Sequence, residues 1–375
     1  MKLKFFSLSL ALILLLSVAT GCGGKAVDPA EPTPPTVTET PTAEPDPEAE
    51  AAAAERQAKY TRAYEAYSPD TVVMYVNGQP ILWSEFFSWV YNTATQLEDY
   101  YGISDWDYVQ NYAATNCIQI AVVTQKAAEL DVGLSDADQA SLEQLFELFR
   151  SEEDFADALA ESFLTESYLR TQYEASALYE NLYTTLFGED GENCPEEDVL
   201  QYIVDQGYLY AKHILFSTVD DNNQPLDEAT VARKRADAEA VLAQLKACPD
   251  EERPALFDSL LEQYGEDPGM RSRPDGYYFL PGTMVAEFEE AAKALALGQV
   301  SEIVETRYGY HILFRPAMSA DHLMGYDEQY YQPYTVRSFV STALFNNVTR
   351  DWYDAAEVEF APGFEPLDLG ALLDD

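Results

Sequence analysis

Two of the three histidines in this chain occur in the same four-residue sequence, His-Ile-Leu-Phe, at residues 213–216 and again at residues 311–314. Histidine binds metals and transfers protons near neutral pH, so the repetition indicates a site at which metal binding and acid–base chemistry are both open. Each copy lies in a short run of β-branched and aromatic residues, which is typical of a buried strand. Side chains alternate between the faces of a strand, so His213 and His311 can face one pocket if the two strands pair. The alternative is that each is a core histidine with a backbone partner.

The segment between the two histidines must supply the elements that position them. Its apolar periodicity predicts helices over residues 227–247 and 253–264, and a third that begins after residue 284. A polar turn at residues 265–269 follows the second helix. Several short sequences then come in a fixed order: Asp275-Gly276-Tyr277-Tyr278-Phe279, Pro281-Gly282-Thr283-Met284, Leu297-Gly298-Gln299-Val300-Ser301, Val304-Glu305-Thr306 and Gly309-Tyr310-His311.

This order of motifs, across residues 205–318, resembles the parvulin-type peptidyl-prolyl cis/trans isomerases, also called rotamases. The resemblance implies an α+β fold in which a four-stranded antiparallel sheet is surrounded by helices. It implies the chemistry of rotating an X-Pro peptide bond, in which no bond breaks. We therefore expect no metal and no cofactor.

The resemblance also assigns roles to individual residues. His213 and His311 match the family's paired strand histidines, and Asp267 matches its variable Cys/Asp catalytic position. Thr306 matches the hydroxyl before the second histidine. The family's proline pocket matches three further residues, Met284 and Phe288 with Phe279 on the wall.

The chain departs from the family pattern at several positions. Pro274 and Tyr277 replace glycines of the common Gly-Gly-Asp-Leu-Gly stretch, and Gly265 stands where serine is frequent. Asp220 and Asp221 stand where phosphate-directed parvulins carry basic residues. Selectivity for phosphoserine-proline is therefore not expected, since bound phosphate needs cationic partners.

The N-terminus has the pattern of an export signal. Two lysines precede an apolar run at residues 8–16, which is too short to span a bilayer, and small residues then precede Cys22. This resembles the lipobox of bacterial lipoproteins, in which the cysteine is lipidated. The alternative is an ordinary secretory signal with a chance cysteine. We expect an extracytoplasmic protein anchored to a bacterial membrane through Cys22, with the outer face of the cytoplasmic membrane favoured.

The remaining composition predicts the domain organisation. A Val-Asn-Gly-x-x-Ile sequence that leads into a helix resembles the start of the helical chaperone domain in SurA- and PrsA-like foldases. The predicted order is a signal peptide (1–21), a disordered Pro/Glu-rich tether (22–69), a helical foldase domain (70–204), a parvulin domain (205–318), and a C-terminal helix that returns to the helical domain and ends in an acidic tail (319–375).

The balance of 66 acidic and 22 basic residues, a net charge of −44, excludes nucleic acid and anionic lipid headgroups as partners. The three cysteines after Cys22 contain no C-x-x-C pair, so neither a zinc site nor a redox motif is predicted. The expected partners are unfolded or partly folded exported proteins with X-Pro bonds.

Three functions remain open at this point. The favoured one is a lipid-anchored foldase that isomerises X-Pro bonds, with chaperone activity from the helical domain. The second is a holdase chaperone that keeps the parvulin fold as a binding scaffold with weak or no catalysis. A solute-binding lipoprotein would share the signal and tether, but its two-lobed βαβ pattern is not found.

Overall fold

The computed structural model describes residues 47–326, 331–364 and 367–373. The predicted signal peptide, Cys22 and the predicted tether up to residue 46 lie outside the described residues. In the described part, no helix combines the length and the hydrophobicity needed to cross a membrane. The described residues divide into two compact units, which fall within residues 1–182 with 349–375 and within residues 183–348.

The described helices and strands follow one another in chain order as α1 (Pro47–Tyr64), β1 (Val72–Val76), β2 (Gln79–Leu82), α2 (Trp83–Tyr101), α3 (Trp106–Glu129), α4 (Asp136–Ser151), α5 (Phe155–Glu161), α6 (Glu166–Phe187), α7 (Glu196–Asp205), β3 (Leu209–Ser217), α8 (Glu228–Ala247), α9 (Arg253–Tyr264), α10 (Pro268–Ser272), β4 (Tyr277–Phe279), α11 (Ala286–Ala294), β5 (Val304–Thr306), β6 (Gly309–Phe314), β7 (Leu323–Tyr326), β8 (Pro333–Thr335), α12 (Val336–Asp354), β9 (Val358–Phe360) and α13 (Leu369–Leu373).

The first unit is mainly helical and has a small three-stranded sheet in the order β2-β1-β9. Asn77 and Gly78 form the β1–β2 turn with positive φ angles of 50° and 80°, a backbone conformation that these two residue types accept. The core is built around α2, whose Trp83, Phe86 and Phe87 are fully buried. Apolar residues on α2 and α3 therefore hold this unit together.

Helix α1 differs from the sequence prediction, because it occupies residues 47–64 of the stretch predicted as a disordered tether. The alanine-rich sequence favours a helix. Tyr60 and Ala63 are buried in the first unit's core, and the Tyr64 carbonyl accepts a hydrogen bond from Trp83 Nε1 at 2.9 Å. The sequence prediction rests on the prolines and charges of this segment and does not account for its buried apolar side chains.

The C-terminal segment also differs from the prediction of one helix followed by an acidic tail. The helix α12 begins at Val336 and is preceded by the two-stranded β7–β8 sheet. Beyond α12, β9 pairs antiparallel with β1, and Leu369 and Leu373 of α13 are buried in the first unit's core. Burial of these leucines stabilises an ordered structure in this segment, although its composition predicts an acidic tail.

The second unit contains the predicted four-stranded antiparallel sheet, in the order β4-β3-β6-β5. One face packs against α8 and α9 through Ile214, Phe216, Ile312 and Phe314. The opposite face carries α11, with Phe288 and Ala292 packed on Ala211 and Leu313. The α+β class is confirmed. The predicted domain boundaries stay predictions. The second unit is larger than the predicted parvulin domain, because it also contains α7 and residues 336–348 of α12.

Candidate active site

Strands β3 and β6 bring the two histidines together on one face of the sheet. In the antiparallel register, Leu215 lies opposite His311 and His213 lies opposite Leu313, so the histidines are diagonal neighbours. Their Nδ1 atoms are 3.1 Å apart, and their side chains are 3% and 4% exposed. Gly309 permits this close pairing, because a Cβ there would lie 2.2 Å from the Phe216 carbonyl oxygen.

Asp267 reaches the histidines from the turn after α9. The preceding residue, Glu266, attaches this turn to the edge of β3: its N–H donates to the Leu215 carbonyl at 3.0 Å, and its carboxylate accepts the Ser217 N–H at 2.7 Å. Lys234 of α8 forms an ion pair with the same carboxylate. Asp267 Oδ2 then lies 2.8 Å from His213 Nε2.

The residues at the two ends of this network, Asp267 and Thr306, also have further hydrogen-bond partners. Tyr277 OH donates to Asp267 Oδ2 at 2.7 Å, and the Gly269 N–H donates to Asp267 Oδ1 at 3.0 Å. Thr306 Oγ1 lies 2.8 Å from His311 Nε2 and accepts the Tyr308 N–H at 3.1 Å. The structure therefore links all four sequence-predicted polar residues in one continuous chain of hydrogen bonds.

Two members of this network, Asp267 and His311, have lowered pKa values. Burial would raise the pKa of Asp267, but hydrogen bonds from His213 and Tyr277 lower it to about 2. Burial is the main cause that lowers the pKa of His311 to about 3. At neutral pH, Asp267 is therefore a carboxylate and His311 is neutral.

Donors and acceptors can then be assigned along the network by counting. The Asp267 carboxylate only accepts, so His213 Nε2 carries a proton. Thr306 accepts from the Tyr308 N–H and donates its hydroxyl proton to His311 Nε2. For a neutral His213, whose Nδ1 only accepts, His311 Nδ1–H donates to His213 Nδ1, so every donor points toward Asp267. Hydrogen bonds aligned in this way polarise and strengthen one another. The network is therefore suited to keeping the site in a fixed geometry and not to transferring a proton.

A cavity of about 900 Å³ opens beside the network. His213, His311 and Asp267 contribute its polar wall, and Met284 and Phe288 contribute apolar surface. The Phe288 ring meets both imidazoles edge to face, with centroids 5.1 Å from His213 and 5.7 Å from His311. Further lining comes from Leu215, Val285 and Tyr277.

Two sequence-predicted residues stand behind the cavity wall. Phe279 is buried and packs against Phe288 with ring centroids 5.8 Å apart, and it is not among the lining residues. Thr306 contacts His311 from the other side of the network. These two side chains support the wall from behind, while Met284 and Phe288 face the cavity.

Sequence reasoning missed Glu289, which follows Phe288 on α11. Its buried carboxylate accepts the N–H groups of Gly282 at 2.8 Å and Met284 at 2.9 Å. These bonds lower the pKa of Glu289 below its usual value. They hold in place the turn that presents Met284. The available signal was an acidic residue next to the buried face of a helix.

Comparison with known proteins agrees with this fold. Residues 213–315 match the family model described as "Rotamase: PPIC-type PPIASE domain". The second unit therefore contains a parvulin domain of the PPIC type.

The wider sequence is PrsA-like. It is 31% identical to the Foldase protein PrsA of Oceanobacillus iheyensis over 195 residues, which cover 51% of this chain and 56% of the relative. It is 53% identical to that of Geobacillus sp. (strain WCH70) over 60 residues, 15% of this chain and 21% of the relative. It is 24% identical to that of Caldanaerobacter subterraneus subsp. tengcongensis over 306 residues, 77% of this chain and 85% of the relative.

The chain thus spans less than two thirds of the length of the first two of these relatives. Among solved structures, the peptidylprolyl isomerase PrsA from Bacillus cereus is 20% identical with a TM-score of 0.30, and the match covers 82% of this chain and 100% of that chain. PrsA from Bacillus subtilis is 20% identical with a TM-score of 0.25, with 76% and 91% covered. Neither superposition supports a conclusion about the arrangement of the whole chain.

Proposed function

We propose that this protein is an extracytoplasmic foldase that catalyses cis/trans isomerisation of X-Pro peptide bonds in exported proteins, anchored to a bacterial membrane through lipidated Cys22. The observation that carries the proposal is the cavity in which the buried network of His213, His311 and Asp267 faces the apolar surface of Met284 and Phe288. The catalytic positions that match the parvulin pattern are occupied by compatible residues.

The geometry suits bond rotation because rotation needs no nucleophile and no proton donor of matched pKa. The planar peptide bond is stabilised by resonance, with a rotation barrier of about 18–20 kcal/mol. An apolar pocket that holds the proline ring and excludes water favours the twisted amide, which has less charge separation. Lowering the barrier by about 4 kcal/mol would accelerate rotation roughly a thousandfold. The aligned network keeps the polar wall fixed while the bond twists.

A refolding assay tests this function. The purified chain without its signal should accelerate the refolding of a protein whose slow phase is limited by proline isomerisation, which takes tens to hundreds of seconds unaided. His311→Ala should lose the acceleration, whereas Glu290→Ala, an exposed change on α11, should keep it. An unaltered slow phase in the presence of the folded wild-type protein would overturn the proposal.

A second function, chaperone binding of unfolded chains, is favoured by a cluster of exposed residues in the first unit. Tyr100, Tyr101, Ile103 and Tyr108, around the α2–α3 connection, are 81%, 73%, 50% and 42% exposed. The Tyr108 and Tyr112 rings stack with centroids 5.9 Å apart. Four large exposed side chains within nine residues form an apolar patch of a kind that binds partners, while single exposed apolar residues are ordinary.

We expect the triple change Tyr100→Ser, Tyr101→Ser and Tyr108→Ser to weaken suppression of client aggregation roughly tenfold or more, because aromatic anchors contribute most to such binding. Light scattering of an aggregating client measures this. Leu130→Ser with Leu148→Ser, which also removes exposed apolar residues from the first unit, is the control. Equal suppression by the tyrosine variant and the wild type would contradict this role.

The refolding assay and the aggregation assay together distinguish a foldase from a holdase that has no isomerase activity. Combined replacement of His213, His311 and Asp267 by alanine should abolish the refolding effect under the main proposal. If the wild type suppresses aggregation without accelerating proline-limited refolding, and suppression survives the combined replacement, the holdase function is supported instead.

A further inference from the structure

Tyr277 stands where the resembled parvulin pattern has glycine, and its side chain enters the site. It lies on β4 opposite Ala211 of β3, which places it on the same face as His213. Its ring lines the cavity, with its centroid 5.7 Å from that of His213. Its hydroxyl donates to Asp267 Oδ2 at 2.7 Å, the oxygen that also lies 2.8 Å from His213 Nε2.

Gly269 provides the space that this hydroxyl occupies. A Cβ at position 269 would lie 1.9 Å from the Tyr277 hydroxyl oxygen and 3.1 Å from the adjoining ring carbon Cζ. The Gly269 N–H also donates to Asp267 Oδ1 at 3.0 Å. The absent side chain thus admits the phenol, and the backbone holds the other carboxylate oxygen.

We propose that Tyr277 and Gly269 form a matched pair that positions Asp267 and, through it, the two histidines of the site. This inference rests on the proposed isomerase function and adds a positioning device particular to this chain. Three donors from three elements, on β3, β4 and α10, fix both oxygens of the carboxylate, so its plane cannot rotate. A fixed carboxylate keeps the His213 proton on Nε2 and thereby sets the direction of the whole hydrogen-bond chain.

The pair also sets the pH range over which the network keeps its direction. Asp267 faces His213 on β3, with His311 behind it on β6, and Tyr277 on β4. Two arginines are near the site: Arg271 lines the cavity, and the Arg273 guanidinium lies 5.8 Å from the centre of the Tyr277 ring. Adjacent Glu266 is paired with Lys234 of α8. Without the phenol, Asp267 keeps two donors and takes up a proton at a higher pH.

The test uses the full chain without its signal and four variants: Tyr277→Phe, Gly269→Ala, the two combined, and Tyr278→Phe. Tyr278 is the matched control, because its hydroxyl contacts His322 Nδ1 at 2.9 Å on the other face of the sheet. The readouts are kcat/KM for an X-Pro peptide at neutral pH and, by NMR as a function of pH, the protonation of the Asp267 carboxyl group and of each histidine ring nitrogen.

Tyr277→Phe should raise the pH at which the Asp267 carboxylate takes up a proton by about one unit, and Tyr278→Phe should leave that pH unchanged. Gly269→Ala should lower kcat/KM roughly tenfold in the tyrosine background and much less in the phenylalanine background, because the phenylalanine ring has no hydroxyl for the new Cβ to meet. Additive effects of the two changes on kcat/KM, or an Asp267 titration in Tyr277→Phe identical to that of the wild type, would overturn the inference.

Two outcomes keep this test distinct from the test of function. If Gly269→Ala alone does not fold, a restored melting transition in the double variant supports the pair, and absence of any rescue contradicts it. If the wild type shows no isomerase activity, the proposed function fails, but the NMR titration still tests the inference. Loss of the His213 Nε2 proton at a higher pH in Tyr277→Phe than in the wild type supports the inference. An unchanged titration refutes it.

Discussion

Phe288→Ala is expected to lower kcat/KM for X-Pro isomerisation by roughly ten- to a hundredfold. The Phe288 ring supplies apolar wall in the cavity and packs edge to face on both histidines. Contact with a side chain of this size contributes about 1.5–3 kcal/mol, and each ~1.4 kcal/mol changes a rate tenfold. A protease-free peptide assay, followed by the different NMR signals of the cis and trans forms, measures the change.

Phe257→Ala is the matched control for this prediction. Phe257 of α9 is also a buried phenylalanine of the same unit, but it packs on Phe314 on the opposite face of the sheet. Its loss should cost stability of about 3–5 kcal/mol without changing the kcat/KM of the molecules that remain folded. If the alanine variants unfold, the corresponding leucine variants serve the same comparison. Equal losses of kcat/KM in the two positions would show that Phe288 acts only through stability.

Acid destabilisation between about pH 6.5 and pH 3 is the second large effect, and His311 is expected to cause much of it. In the unfolded chain a histidine takes up a proton near pH 6.5, whereas folded His311 resists protonation until about pH 3. In this window the unfolded state binds more protons, so the free energy of unfolding falls as the pH falls. The contribution is on the order of 5 kcal/mol, present in full above pH 6.5 and lost toward pH 3.

Urea unfolding at pH 7, 5 and 4 measures this slope. His311→Gln removes the titrating ring, so its unfolding free energy should vary less with pH than that of the wild type. His322→Gln is the control: His322 is half-buried, and burial lowers its pKa as well, so a smaller part of the slope should disappear. Parallel profiles for the wild type and His311→Gln would contradict the burial of a neutral His311.

The sequence was sufficient to predict which residues face the site along each strand. The period of two places His213 with Leu215 and His311 with Leu313, and the structure has these residues on one face. The antiparallel register could not be predicted, because it depends on packing of both faces and on the approach allowed at Gly309. Asp267 is 54 residues from His213, and only the attachment of Glu266 to the edge of β3 shows how it arrives.

The residues that the sequence did not reveal act through contacts rather than through motifs. In the sequence, Tyr277 is only a departure from a glycine pattern. Its role depends on the space at Gly269, which no sequence motif indicates. Glu289 looks like one more acidic residue in an acidic chain until its bonds to the Met284 turn are seen. The polar composition of their segments did not predict helix α1 and helix α13. Both helices are stabilised by a few buried side chains, such as Tyr60 and Leu369.

Exchange spectroscopy on a short X-Pro peptide separates catalysis of bond rotation from chaperone binding, because a short peptide offers few side chains for the exposed tyrosines to bind. We expect the cis/trans exchange rate to rise in proportion to the concentration of the wild-type chain. The rise should be roughly ten- to a hundredfold smaller with folded Phe288→Ala and unchanged with the serine variant of Tyr100, Tyr101 and Tyr108. If exchange stays at the uncatalysed rate with the folded wild-type protein, the protein is not an X-Pro isomerase.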